Sequence, residues 1–203
     1  MTSPASLTDI IQRRRTVRRF QPTPVPRSVV EGLLELAVQA PSAHNSQPWR
    51  FVVLYEEKTR RDMALAMADA LRERRLGDGD APGDVEADAA RSIERITGAP
   101  VALLLCMSES DLDRYPDAAR TRAEHHLAIQ STALAAGHLL LAAEEAGLGA
   151  FWLCAPMFAQ DVVCDMLGLP DCWAPQALIL LGHPDENSSP RSRKDMKEVV
   201  QWR

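Results

Sequence analysis

The stretch that decides the fold lies in the second half of the chain, at residues 117–145, and reads DAARTRAEHHLAIQSTALAAGHLLLAAEE. It contains no proline, and Gly137 is its only residue that weakens a helix strongly. Five leucines spread over much of the helix circumference: Leu127, Leu134, Leu139, Leu140 and Leu141. A helix this long and this apolar is expected to lie at the centre of its domain.

Shorter elements flank this helix along the sequence. Apolar runs of strand length predict strands at residues 50–55, 101–107, 150–153 and 177–182. Apolar residues at helical spacing predict helices at residues 7–14, capped by Ser6, and at 29–40, 59–75 and 160–167. The strand spacing is irregular and the helical content is high, which favours an α+β sandwich over a regular doubly wound sheet.

Two polar segments interrupt these elements. Residues 77–88 are acidic and glycine-rich, which predicts a mobile surface loop that runs into a helix ending before Gly98. Residues 108–116 form a polar excursion that could lie over a site as a lid.

Composition limits the classes of function. The chain has 203 residues, 46% hydrophobic and 25% charged, which predicts one soluble domain spanning residues 1–203. Its net charge of -5 gives no general attraction to nucleic acid, and no apolar run approaches the roughly 20 residues that cross a membrane. The four cysteines form no C-x-x-C pair, which suggests a reducing cytoplasm, and the adjacent His125 and His126 are poorly spaced for a metal.

The first segment with chemical information is RRRTVRRF, at residues 13–20. Guanidinium groups bind phosphate through bidentate, charge-assisted hydrogen bonds, and a threonine hydroxyl can add another contact. The segment therefore suits a phosphorylated cofactor. By itself it is equally typical of a solvated helix end, where the helix dipole favours cations.

Two further segments are suggestive. The loop APSAHNSQPW, at residues 40–49, places short polar side chains between two prolines, so it can present hydrogen-bonding groups in a fixed shape. It could also be an ordinary connection between a helix and a strand. The tail PRSRK, at residues 190–194, adds three cations, and such runs are often only solvated.

The order of these segments along the chain resembles the nitroreductase family, whose members depend on FMN. The likeness runs nearly end to end and is strongest at residues 14–20, 41–51, 147–158 and 181–193, while residues 56–98 match only in helical character. The segments YPD at 115–117 and 151–158 are most similar to the C-terminal FMN domain of the actinobacterial deazaflavin-coenzyme glutamyl ligase.

The resemblance implies a three-layer sandwich with a central, mostly antiparallel sheet flanked by helices, and a homodimer that holds FMN between its subunits. It implies contacts to the phosphate, ribityl chain and pyrimidine edge from Arg14, Arg15, Thr16, Arg18, Arg191 and Arg193. From the other subunit, the residues that contact the isoalloxazine would be Pro41, Ser42, Ala43 and Asn45. The C-terminal tail is expected to extend over the partner.

The hydride-accepting nitrogen of the flavin would lie beside Leu153, Cys154 and Ala155. The family usually offers a backbone N–H there, and Pro156 has none, so Ala155 or Met157 could substitute. Cys154 has no cationic neighbour in the sequence, so we expect it to be a packing residue.

The activity implied is hydride transfer from NADH or NADPH, through flavin, to a nitroaromatic, a quinone or a similar acceptor in a ping-pong cycle. No catalytic side chain and no metal are expected, because the chemistry belongs to the cofactor. Two alternatives stay open: a protein that carries FMN without turnover, and a flavin-dependent oxidase or reductase acting on a cofactor precursor.

Overall fold

The computed structural model describes residues 5–110, 112–186 and 188–203. Its sheet has four strands in the order β1-β2-β4-β3, and every neighbouring pair is antiparallel. The strands are β1 (Trp49–Leu54), β2 (Val101–Ser108), β3 (Gly149–Leu153) and β4 (Trp173–Gly182). The central strand β2 is buried along its whole length, which explains why its sequence is a continuous apolar run.

The two faces of the sheet form separate halves of the core. On β2, Leu103 and Leu105 pack on the side of the long helix α5 (Ala118–Glu145), whereas Leu104 and Cys106 pack on the opposite side. The opposite side is covered by α3 (Glu57–Gly77) and α6 (Gln160–Leu167). The predicted three-layer α+β sandwich is therefore confirmed.

The long helix begins and ends where the sequence predicts. The Asp117 carboxylate accepts a hydrogen bond from Arg120 N at 2.9 Å and caps the first turn. Among the described residues, α5 is the one helix that is long and apolar enough to cross a membrane by length and composition. However, 44% of its most apolar window is buried inside the fold, as in the core helix of a soluble protein.

The first two helices pack beside α5. Ser6 and Asp9 form a reciprocal capping box at the start of α1 (Leu7–Arg13), as the sequence predicts for Ser6. The helix α2 (Arg27–Ala37) ends before the predicted Ala40. Pro41 explains the difference, because the residue before a proline avoids the helical conformation and the chain leaves the helix early.

The prediction of a mobile loop at residues 77–88 is wrong. The helix α4 (Pro82–Thr97) begins inside that segment, with Pro82 in its first turn. Its acidic residues are paired with α3 instead of being solvated: both terminal nitrogens of this fork, Arg72 Nη2 and Nε, lie 2.8 Å from the Glu86 carboxylate, and Arg75 bonds Asp88. A composition rich in acid and glycine did not reveal partners on the preceding helix.

The remaining segments are short. β4 begins at Trp173, before the predicted start at Ala177, and a bulge interrupts its pairing with β2 between Leu105 and Cys106. Short 3-10 turns lie at Ala43–Asn45 and Ala155–Phe158, and a final helix α7 (Met196–Val199) lies in the polar tail.

Candidate functional site

The connector after α1 is attached to both ends of the sheet edge. Val17 N donates to Ala150 O at 3.0 Å, which adds the connector to β3 as a short parallel bridge. On its other side, Arg18 N donates to Glu186 Oε1 at 2.6 Å, and Ser188 Oγ donates to Thr16 O at 3.1 Å. These bonds join segments almost the whole chain apart in sequence.

The joined segments surround a cavity of about 390 Å³, which we call the Arg14 cavity. Its lining residues are Arg14, Arg15, Thr16, Arg18, Glu186, Ser188, Ser189, Arg191 and Arg193. The structure thus brings together all six residues that the sequence proposes for the phosphate end of a cofactor. Guanidinium groups facing one cavity are suited to a phosphate or another small anion.

Most of the guanidinium donors in this cavity stay available. Arg15 Nη1 donates to Gln12 O at 2.6 Å, and Arg193 Nη1 donates to Arg191 O at 3.2 Å. Each guanidinium has about five N–H donors, so these bonds orient the groups and leave donors for a ligand. The Arg18 guanidinium lies instead over the Phe151 ring, 5.0 Å from its centroid.

Sequence reasoning did not find Glu186, the one carboxylate of the cavity. Hydrogen bonds from the backbone N–H of Arg18, and secondarily of Arg19, lower the pKa of the Glu186 carboxyl below its ordinary value. Arg19 Nε adds an ion pair at 3.4 Å. Nothing in the local sequence distinguishes Glu186, because its partners come from the other end of the chain.

The second predicted group lies in the loop at residues 41–47, which we call the Pro41 loop. Three of its residues other than glycine have positive φ angles: His44 at 53°, Asn45 at 56° and Gln47 at 48°. Such conformations cost on the order of 1–3 kcal/mol each and cluster at ligand sites. Two contacts hold the loop: Gln47 N donates to Ser42 Oγ at 3.0 Å, and Ala43 N donates to Ser131 Oγ at 3.1 Å.

Within one chain, the Arg14 cavity and the Pro41 loop are far apart. The loop contacts α5 at Ser131, whereas Arg13, next to the cavity, pairs with Glu144 at 3.7 Å. These α5 residues are 13 positions apart, which at about 1.5 Å per residue corresponds to roughly 20 Å along the helix. The structure therefore does not bring the two predicted groups together in one chain.

The third predicted group continues the edge strand beside the cavity. The bridge to the connector is at Ala150, and Leu153 follows three residues later on β3, about 10 Å along the strand. Cys154 is exposed, which corrects its expected role as a packing residue, and its sulfur accepts a hydrogen bond from Trp152 Nε1 at 3.1 Å. Ala155 lines a small apolar cavity of about 190 Å³ together with Phe158 and Met67.

The backbone amides after Cys154 are not equivalent. Met157 N donates to Cys154 O at 3.1 Å, so this amide already has a partner. Pro156 has no N–H, and the Ala155 N–H makes no hydrogen bond within the part of the chain that the structure describes. Ala155 is thus the amide in this turn with a free donor.

Comparison with known proteins agrees with the fold. The model of the Nitroreductase family matches residues 11–183. An NADH dehydrogenase of Thermus thermophilus is 34% identical over 94% of this chain and 93% of its own length. A protein of Desulfovibrio desulfuricans, solved as a nitroreductase in complex with FMN, is 26% identical with a TM-score of 0.75, over 98% of this chain and 97% of that one.

A BluB-like flavoprotein of Clostridium difficile superimposes with a TM-score of 0.80 at 22% identity, over 98% of this chain and 99% of that one, and supports the fold alone. Fold and cavity together define an α+β sandwich with an anion site between its two chain ends. The chain belongs to the Nitroreductase family.

Proposed function

We propose that this protein is an FMN-dependent oxidoreductase that passes a hydride from NADH or NADPH to a small acceptor such as a nitroaromatic or a quinone. The observation that carries the proposal is the Arg14 cavity, where arginines from both ends of the chain face one small volume. The FMN complex of the Desulfovibrio desulfuricans relative supports the choice of cofactor.

The residues of the cavity fit a flavin phosphate. A phosphate monoester carries up to two negative charges near neutral pH, and Arg14, Arg191 and Arg193 can offset them with charge-assisted hydrogen bonds. The Thr16 hydroxyl lies between these arginines and β3, where it can contact a ribityl chain. The Glu186 carboxylate would repel a phosphate placed directly against it, so the ligand is expected on the arginine side.

When bound, FMN supplies the two-electron chemistry of the reaction. The chain then has to orient the ring and supply donors where negative charge develops. The free Ala155 N–H is the candidate donor to the hydride-accepting nitrogen, and Arg18 is the candidate positive group at the pyrimidine edge. No side chain has to act as a nucleophile in this scheme.

We infer that the working form is a homodimer. Large apolar side chains are exposed along α1, α2 and α5, at Leu7 (64%), Leu36 (49%) and Leu134 (48%), and they form one face that a second copy can cover. His138, which the sequence suggested to be buried, is partly exposed and lines a groove in this face. The partner's Pro41 loop would complete the site that one chain leaves incomplete.

The tail gives separate support for a partner. Trp202 is 88% exposed and Met196 is 65% exposed, although both are large apolar side chains. A tail that extends over a second subunit would bury them, as the sequence predicts. A single domain and a cytoplasmic location remain predictions of the same kind.

An anaerobic titration tests the proposal directly. Purified protein loaded with FMN is titrated with NADH and with NADPH while the flavin absorbance is followed, and then a nitroaromatic or a quinone is admitted. Bleaching and its reversal by the acceptor are expected. Bound flavin that neither donor bleaches would favour the carrier alternative or another donor, and failure to bind FMN would overturn the proposal.

A further inference from the structure

We propose that the chain has a second anion site, next to the Arg14 cavity, that binds one phosphate group of a nucleotide. The site is a cleft of about 440 Å³ between the connector and the last turns of α4, lined by Arg18, Arg19, Arg91 and Arg95. We call it the Arg95 cleft. The inference rests on the proposed function only in assuming that a flavin occupies the neighbouring cavity.

An aromatic ring fixes two of these arginines. Phe151 is only 8% exposed, and its ring centroid lies 5.0 Å from the Arg18 guanidinium carbon and 5.7 Å from that of Arg95. Both cations are attracted to the ring but repel each other. An anion that contacts both guanidinium groups would relieve this repulsion, so the arrangement favours an anionic ligand.

The same two arginines are the ones left without an acidic partner. Arg19 pairs with Glu186 at 3.4 Å, and Arg91 pairs with Asp88. Within the described ranges, neither Arg18 nor Arg95 has a carboxylate oxygen within 4.0 Å of its guanidinium nitrogens. Two uncommitted guanidinium forks are therefore available in one cleft.

Two carboxylates limit what the cleft can bind. Glu94 and Asp185 also line it, so its positive charge is modest. A polyanion such as a nucleic acid would meet these carboxylates and a chain of net charge -5. A single phosphate group can contact Arg18 and Arg95 and stay clear of the acids, which makes it the better match.

The position of the cleft indicates where such a phosphate comes from. Arg18 and Glu186 line both the Arg14 cavity and the Arg95 cleft, so the two volumes are adjacent. Two nucleotide ligands offer the same chemistry there: the adenylate half of FAD, bound in place of FMN, and the adenosine 2′-phosphate of NADPH. The first is linked to the flavin itself, and the second belongs to the hydride donor.

Binding measurements on the full chain distinguish these sources. Isothermal titration of the wild type and of Arg95→Ala would use FMN, FAD, adenosine and 2′,5′-ADP as probes. The loss of one charge-assisted phosphate contact corresponds to roughly a tenfold or larger rise in Kd. We expect that rise for FAD, for 2′,5′-ADP or for both, with the Kd of FMN unchanged.

Two control variants separate charge from folding. Arg61→Ala removes an exposed arginine on α3 that pairs with Glu57 outside the cleft, and it should leave every Kd unchanged. Arg95→Lys keeps the charge and should restore part of the lost affinity. A matching rise in the KM of NADPH but not of NADH would assign the cleft to the donor.

Other outcomes would overturn the inference. The cleft is not a phosphate site if wild-type protein binds neither FAD nor 2′,5′-ADP, or if Arg95→Ala changes neither affinity. An equal loss for FMN would mean that Arg95 acts only through the Arg14 cavity. Because 2′,5′-ADP is titrated without flavin, a failure of FMN binding would overturn the proposed function and still leave this result readable.

Discussion

The Arg14 cavity and the Pro41 loop, which the sequence marks with equal clarity, are built in opposite ways. The cavity joins residues from both ends of one chain, and its arginines are long side chains with few fixed contacts. The loop is a single local segment held in an unfavourable backbone conformation by its bonds to Ser42 and Ser131. The difference indicates that electrostatic attraction gives affinity at the cavity, whereas a rigid shape gives orientation at the loop.

The largest effect is expected from removing charge at the cavity. The double variant Arg14→Ala/Arg191→Ala loses two charge-assisted contacts to phosphate, each contributing about 1.5–3 kcal/mol. The Kd of FMN, measured by quenching of flavin fluorescence, should rise about 100-fold or more. Arg27→Ala serves as control, because Arg27 pairs with Glu31 on α2. An unchanged Kd would place the flavin elsewhere.

Subunit mixing tests whether the two regions work across a dimer. Arg14→Ala chains carry a defective cavity and an intact loop, and Asn45→Asp chains carry the reverse. After unfolding and refolding together, half of the dimers should be mixed and one of their two sites intact, giving about a quarter of wild-type activity. Activity no higher than that of the separate variants would show that the site is not shared.

A smaller effect is expected when the loop loses its anchor. Ser131→Ala leaves the Ala43 N–H without its partner, which should lower the free energy of unfolding by about 1–3 kcal/mol. Activity should fall more than FMN affinity, because orientation is lost and charge is kept. Thr132→Ala is a useful comparison, since the neighbouring Thr132 hydroxyl has no hydrogen-bond partner in the described part of the chain. Equal losses of stability in both variants would contradict this role of Ser131.

The smallest effect concerns Glu186 and depends on pH. Its pKa in the folded protein lies below its ordinary value of 4.5, so the ionised form stabilises the fold. This contribution is fully present above pH 4.5 and is lost as the pH falls through the lowered pKa. Glu186→Gln should therefore be less stable than the wild type by about 1 kcal/mol at neutral pH. Thermal unfolding at a series of pH values should show the difference vanish in acid; a constant difference would argue against an ionic role.

The sequence predicted most of the fold because its signals are local. Residues 117–145 have no proline and many leucines, and residues 160–167 have helical spacing, so both helices appear at the predicted positions. The failure at residues 77–88 has the opposite cause, because the acids there pair with arginines of the preceding helix. The likeness to the glutamyl ligase domain and the lid at residues 108–116 remain predictions.

By itself, the sequence determined the antiparallel sandwich, the family and the segments that carry the site, because apolar periodicity and short motifs are written in neighbouring residues. Only the tertiary structure decided which of those segments meet. It joined residues 14–18 to 186–193, revealed Glu186, and separated the Pro41 loop from both. The physical reason is that strand pairing and helix packing set distances between residues remote in sequence, and no local pattern encodes those distances.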